Sequence, residues 1–276
     1  LVLLVAAVSS ALGVLAWGGR WACPAFDPRR GYPGEGWSVL TINVTQLGQR
    51  HDDLRQQIFE RAEVALLQET KHDAKSSASI AAVWSGQDRR VLWGAPGPQS
   101  ASAGVAGAAS AGWLHPYVTE GTQVKGTRRW QVAVVPKAAT GLPAPLLVAS
   151  LYGMVNGRRD PTAASQTAQY VNELLDIVSG WHGPWLLGGD VNMDPSTVPG
   201  LTALVLQGLA VEVGALDQGG GCTFEQAGTK CRLSSVWMSR ILLRWWRATN
   251  VVSVGAANHL AVRVTFGGDT ADIPGG

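Results

Sequence analysis

The sequence predicts a layered α/β fold with mixed sheets, and three observations carry that reading. Its 276 residues, 46% hydrophobic and 15% charged, suffice for one large core and have the balance of a globular chain. Short apolar runs bounded by turn residues recur along most of its length. Few long helical patterns separate them, so a regular βαβ winding is not expected.

The elements follow in order. Ser38–Val44 (SVLTINV) is a strand-like run, and Asp52 or Asp53 can cap a helix with its apolar stripe at Leu54, Ile58 and Ala62. Val64–Leu67 is a second strand, closed by Gln68-Glu69-Thr70. Ala101–Gly112 is rich in Ala, Gly and Ser, and is expected to give at best a glycine-loosened strand. Gln131–Val135 and Leu146–Tyr152 are further strands. Asp160-Pro161 opens the clearest helix, with Ala168, Val171, Leu174, Leu175 and Val178 on one face. Trp185–Leu187 reads as a strand stopping at Gly188-Gly189-Asp190, and Leu233–Met238 and Leu260–Phe266 complete the set.

The bulk properties narrow the options. A formal charge of +2 is too small for nucleic-acid binding through bulk electrostatics, so any basic surface must be local. Cys23, Cys222 and Cys231 have no metal-ligand spacing, although a Cys222–Cys231 bridge is conceivable. Residues 1–36 stand apart as an apolar N-terminal segment and a Pro/Gly-rich linker. Leu1–Trp17 is short for a spanning helix, which needs about 20 apolar residues. It has no basic stretch before it and is compatible with a signal, an anchor or sequence foreign to the domain. The domain proper is placed at 37–267, followed by a tail at 268–276.

The candidate chemistry sits at strand ends. Asn43 closes the first strand, Glu69 the second; Asp190 and Asn192 follow a later one, and His259 precedes the last. Strands that stop at one rim can gather such residues. Mg²⁺, with Mn²⁺ as a substitute, is held by one or two carboxylates plus substrate phosphate. Asn both donates and accepts, and His can donate to a phosphate. Taken singly, Glu69 reads sooner as a solvated strand terminus than as a ligand, and Gly-Gly-Asp-Val-Asn can be just a glycine turn. Their order raises their weight.

Thr41-Ile42-Asn43-Val44, Leu67-Gln68-Glu69-Thr70, Ser150-Leu151-Tyr152-Gly153, Gly188-Gly189-Asp190-Val191-Asn192-Met193-Asp194-Pro195 and Asn258-His259-Leu260, in that order, resemble the endonuclease/exonuclease/phosphatase (DNase I-like) superfamily. The texture is most similar to the endonuclease domains of non-LTR retrotransposons. The resemblance implies a four-layered α/β/β/α sandwich and metal-assisted attack of water on a phosphodiester. It further implies Glu69 as principal metal ligand, Asn43 as orienter of metal and phosphate, and Asp190 with Asn192 as the water-activating pair. Tyr152 becomes a phosphate contact, His259 the histidine beside the scissile phosphate, and Asn258 a further contributor to the metal site.

Two positions depart from the family pattern. Asn258 and Ser234 stand where the family usually has Asp, so the resemblance implies a site short of carboxylates and activity below that of a complete member. Arg128, Arg129 and Arg158, with Lys125 and the pair Arg89-Arg90, are expected in loops that could follow a DNA backbone. Arg244-Trp245-Trp246-Arg247 interleaves charge with aromatics. The alternatives are a membrane-anchored or secreted phosphatase or sphingomyelinase-like member using residues 1–17, and an inactive DNA-binding module. A nuclear location follows from the retrotransposon reading, a secreted or membrane-associated one from the anchor reading.

Overall fold

The computed structural model describes residues 36–48, 51–97, 103–213, 222–226, 229–254 and 259–267. The apolar run Leu1–Trp17, the linker up to residue 35, Cys23, Asn258 and the tail 268–276 lie outside the described residues. In chain order the elements are β1 (Trp37–Asn43), α1 (His51–Phe59), β2 (Val64–Gln68), α2 (Ala74–Ser85), β3 (Arg89–Trp93), β4 (Val105–Ser110), β5 (His115–Pro116), β6 (Val118–Thr119), β7 (Thr122–Gln123), β8 (Trp130–Val135), α3 (Lys137–Thr140), β9 (Leu146–Tyr152), α4 (Pro161–Ser179), β10 (Trp185–Asp190), α5 (Pro199–Leu206), β11 (Ala210–Glu212), β12 (Phe224–Gln226), β13 (Thr229–Cys231), β14 (Ser234–Ser239), β15 (Trp246–Val252) and β16 (Ala261–Phe266).

Ten strands and two short edge pieces build two six-stranded sheets, ordered β15-β16-β1-β2-β4-β3 and β11-β14-β10-β9-β8-β5. Both are mixed: β1–β2 and β9–β10 are parallel, whereas β1–β16, β2–β4, β8–β9 and β10–β14 are antiparallel. Strand alternation sorts the side chains into three apolar layers. Val39, Leu66, Val148, Leu186, Val236 and Val264 lie between the sheets. Leu40, Ile42 and Leu67 pack outward on Leu54 and Ile58 of α1 and Ile80 and Trp84 of α2. Leu147, Leu187 and Trp237 pack outward on Val171 and Leu174 of α4 and Leu201 of α5. The result is the four-layered α/β/β/α sandwich.

Four sequence expectations change. The Ala/Gly stretch is no loosened strand: β4 is buried along nearly its whole length between β2 and β3. Its small side chains leave room for larger neighbours, as at Gly107, where an added Cβ would stand 3.3 Å from Leu114 Cδ2. β10 does not stop at the glycines but runs through to Asp190. A Cβ on Gly188 would lie 2.8 Å from Thr41 Cβ and 2.9 Å from Leu66 Cδ1 of the facing sheet, so glycine there serves the close approach of the two sheets. Asp52 and Asp53 sit inside the first turn of α1, where they favour the positive end of the helix dipole. Arg89-Arg90 open the edge strand β3 rather than a loop.

The helix at Asp160 forms as its sequence predicts, its side chain accepting from Thr162 N and Pro161 in the first turn. Sequence reading did not identify α2, which is closed at its start by a reciprocal capping box between Asp73 and Ser76.

Candidate active site

The layer between the sheets changes character along its length, and the site is its polar end. Val39 faces inward on β1, so by the period of two Thr41 and Asn43 do as well. The same parity carries Gln68 inward on β2, Gln131 on β8, Ser150 and Tyr152 on β9, Asp190 on β10 and Ser234 on β14. All eight are buried. Parallel pairing of β1 with β2 sets Asn43 beside Gln68, and that of β9 with β10 sets Tyr152 beside Asp190. The antiparallel ladder sets Asp190 beside Ser234.

Hydrogen bonds across the gap join the two halves. Asn43 Nδ2 donates to Asp190 Oδ2 at 2.8 Å. Gln68 Nε2 donates to Thr41 Oγ1 at 3.1 Å, Leu66 O at 2.9 Å and Ser150 Oγ at 3.0 Å, and Ser150 Oγ donates to Leu67 O at 3.0 Å. Gln68, Ser150 and Thr41 stand within the motif stretches, but the sequence reading gave them no role. The usable signal was a polar residue at an inward position of an otherwise apolar strand.

Asp190 is the centre of the arrangement. It is fully buried, its Oδ1 accepting from Asn192 N at 2.9 Å. Asn192 in turn donates through Nδ2 to Gly153 O at 3.1 Å. Burial lifts the Asp190 carboxyl above its ordinary range, and the charge of Glu69 adds to this, while His259 and the bonds from Asn43 and Asn192 oppose it. His259 Nδ1 stands 3.5 Å from Asp190 Oδ2, a charge contact without an aligned hydrogen bond. The anionic group facing His259 is thus Asp190, while Ser234, across the ladder from it, keeps a buried Oγ with no partner among the described residues.

Glu69 lies one residue beyond β2 with φ of 54°, a left-handed conformation that an ordinary side chain adopts at a cost. Thr45 and Asn192 share it, at 59° and 54°, so the turns leaving β1, β2 and β10 all carry it. Glu69 is paired with Lys71 Nζ at 2.9 Å. Burial, then the charges of Glu69 and Asp190, raise the Tyr152 phenol, which keeps it a neutral donor. The Arg129 guanidinium lies 5.0 Å above the Tyr152 ring and donates to Gly153 O at 2.9 Å. Arg129 lies in the loop before β8, as expected, with its side chain turned inward so that it buttresses the site. Arg128 is half-buried, whereas Arg158 is exposed. Cys222 and Cys231 are free thiols.

The oxygen donors that could hold a cation are few. Among the described residues no group of three or more His, Cys, Asp and Glu could enclose a metal. Glu69 supplies one carboxylate and Asn43 Oδ1 an amide oxygen, the latter also accepting from Thr45 N at 2.8 Å. Such a set suits a cation that keeps waters and shares substrate phosphate oxygens.

No protein-family model matches the sequence, and no curated protein matches it. Solved structures do. A 3′-5′ exonuclease (NExo) from Neisseria meningitidis matches with a TM-score of 0.63 at 17% identity, over 83% of this chain and 99% of its own. The AP endonuclease LMAP from Leishmania major gives 0.68 at 14% identity, over 87% and 89%. The endonuclease domain of TRAS1, a telomere-specific non-LTR retrotransposon, gives 0.59 at 16%, over 84% and 98%. The chain therefore has the fold of the endonuclease/exonuclease/phosphatase superfamily, the fold that its five motif stretches imply.

Proposed function

We propose that this chain is a Mg²⁺-dependent phosphodiesterase acting on DNA, an endonuclease of the retrotransposon type with reduced turnover. The observation that carries this is Asp190: a fully buried carboxylate held by Asn43 and Asn192, facing His259, with Glu69 acting on it electrostatically from the next turn. Two carboxylates and a histidine at one rim can supply a base for water, a ligand for a cation and a donor to phosphate, a combination suited to hydrolysis of a phosphodiester. The retrotransposon branch rests on the sequence texture; the fold is common to the TRAS1 domain, the exonuclease and the AP endonuclease and supports nuclease chemistry in general.

The residues divide the work by position. Asp190, raised by burial, accepts the proton of the attacking water. Asn43 and Asn192 fix the orientation of its two oxygens. His259 turns Nδ1 toward Asp190, which leaves Nε2 to donate to a phosphate oxygen. Tyr152 remains protonated and can donate as well. Mg²⁺, held by Glu69 and Asn43, would neutralise charge developing on the phosphoryl oxygens. Arg128 and Arg158 are the candidate contacts to flanking phosphates.

Nicking of supercoiled plasmid with Mg²⁺ is the test. Slow nicking is expected, abolished by chelation and lowered about a hundredfold or more by Glu69→Gln. Ser234→Asp combined with Asn258→Asp is expected to raise the rate. Metal-independent nicking, or full activity in Glu69→Gln, would sink the proposal. Salt-sensitive DNA binding without any nicking would favour the inactive binding module.

A further inference from the structure

His259 carries the phosphate-facing role in the reading above, yet among the described residues no side-chain hydrogen bond holds its Nδ1. Its Nδ1 is buried and lacks an aligned partner among the described residues, as does the Oγ of Ser234. The fixing comes from elsewhere, from the residues that lead into β12. Thr223 is fully buried. Its Oγ1 accepts from Leu233 N at 2.9 Å and Ser234 N at 3.0 Å. Its carbonyl accepts from Leu260 N at 2.8 Å. Phe224 forms an isolated antiparallel bridge with His259, and their rings stand 4.7 Å apart with planes inclined at 43°.

These contacts form a closed circuit. Thr223 ties the start of β14 to the backbone just after His259, and β14 begins with the residue that pairs with Asp190. Phe224 covers one face of the imidazole, so the ring cannot turn freely while that contact holds. A hydroxyl that accepts two backbone N–H groups directs them both, and the segment it anchors has no freedom to shift independently of Ser234.

We propose that Thr223 and Phe224 are the positioning residues of His259. They align it on Asp190 by backbone and ring contacts, in place of an aligned side-chain hydrogen bond. The proposal rests on the reading of His259 as the phosphate donor for its kinetic consequence, but not for its structural one.

The structural consequence is read by NMR of the histidine rings in the full chain. The protein has five histidines, and His259→Gln identifies the signal of interest by its loss. In the wild type and in Thr223→Ser, which keeps the hydroxyl acceptor, one narrow His259 ring signal is expected. In Thr223→Val and Phe224→Ala that signal shifts and broadens while the other four histidines stay close to wild type. The melting midpoint of Thr223→Val falls by a few degrees, because two buried N–H groups lose their acceptor, and the spectra are read well below it. A His259 signal unmoved in both variants overturns the proposal, as does a change in Thr223→Ser equal to that in Thr223→Val. Kinetics on DNA then give the second arm. Thr223→Val lowers kcat about ten- to a hundredfold with KM little changed, and Thr223→Ser recovers most of it. A fall in KM-limited binding alone, with kcat intact, also overturns the proposal. If the wild-type protein shows no turnover, the phosphodiesterase reading fails while the ring signal still decides this one.

Discussion

Asp190 shows how one side chain can be held in a conformation that costs stability. Its carboxylate is fully buried, and burial raises its folded-state value above the unfolded one. Between those two values the folded protein binds more protons than the unfolded chain, so this group's contribution to stability falls as pH rises and returns as pH falls through the folded value. Asp190→Asn is expected to remove that dependence and to raise stability by on the order of 1 kcal/mol, or about 2–4 °C for a domain of this size. The same variant should lose the DNA cleavage proposed above. Paired melting curves at acidic and neutral pH check the first part. An unchanged or lower midpoint at neutral pH would mean that the bonds from Asn43 and Asn192 outweigh the desolvation.

At the level of the elements, the sheets meet through Gly188 at one point and through Gln68 and Ser150 at another. Gly188→Ala places a methyl group against Thr41 and Leu66 and is expected to cost about 1–3 kcal/mol. Ser150→Ala removes a partner of Gln68 and the donor to Leu67 O, a loss of about 1–3 kcal/mol. Chemical denaturation of both variants measures it, with an unchanged slope showing that the native state keeps its compactness. Much of this level was legible beforehand. Asp160-Pro161 with its apolar stripe announced α4, and short apolar runs announced β1, β2 and β9. What escaped had physical causes. The apolar content of α2 rests on few buried positions, Ile80 and Trp84, too sparse for a periodic signal. β4 was undervalued because alanine and glycine have weak strand preference in isolation, whereas between two strands their small size is what the packing needs. Gly188-Gly189 read as a turn because only the facing sheet, remote in sequence, explains a glycine inside a strand.

For the molecule as a whole, motif order conveyed the architecture, and the site is made of groups that the topology brings together. Asn43, Glu69, Asp190, Asn192 and His259 were each legible as strand-end residues. Their mutual contacts were not, because register between two sheets is absent from any local pattern. The role of Asp190 toward His259 is likewise a matter of placement, since nothing near residue 259 in sequence indicates it. With a formal charge of +2, DNA binding should depend on few ion contacts. Two or three phosphate contacts through residues such as Arg128 and Arg158 give a slope of log affinity against log salt of about −2 to −3. Titrations at several salt concentrations measure it; a slope several times steeper would require a basic surface beyond these arginines.

The inter-sheet layer is oily at one end and polar at the other, and this separates two kinds of mutational fate. Substitutions near Trp37, Val264 and Phe266 strike the adhesive half of the sandwich and threaten the fold itself. Substitutions that neutralise acids at the opposite rim remove buried charge, so they endanger chemistry while sparing or even strengthening the scaffold. A lineage released from selection for cleavage would therefore erode from the rim inward, shedding carboxylates first and keeping its architecture long afterwards. Ser234, seated in an intact strand beside Asp190, shows that the ladder at that rim holds with a small neutral side chain.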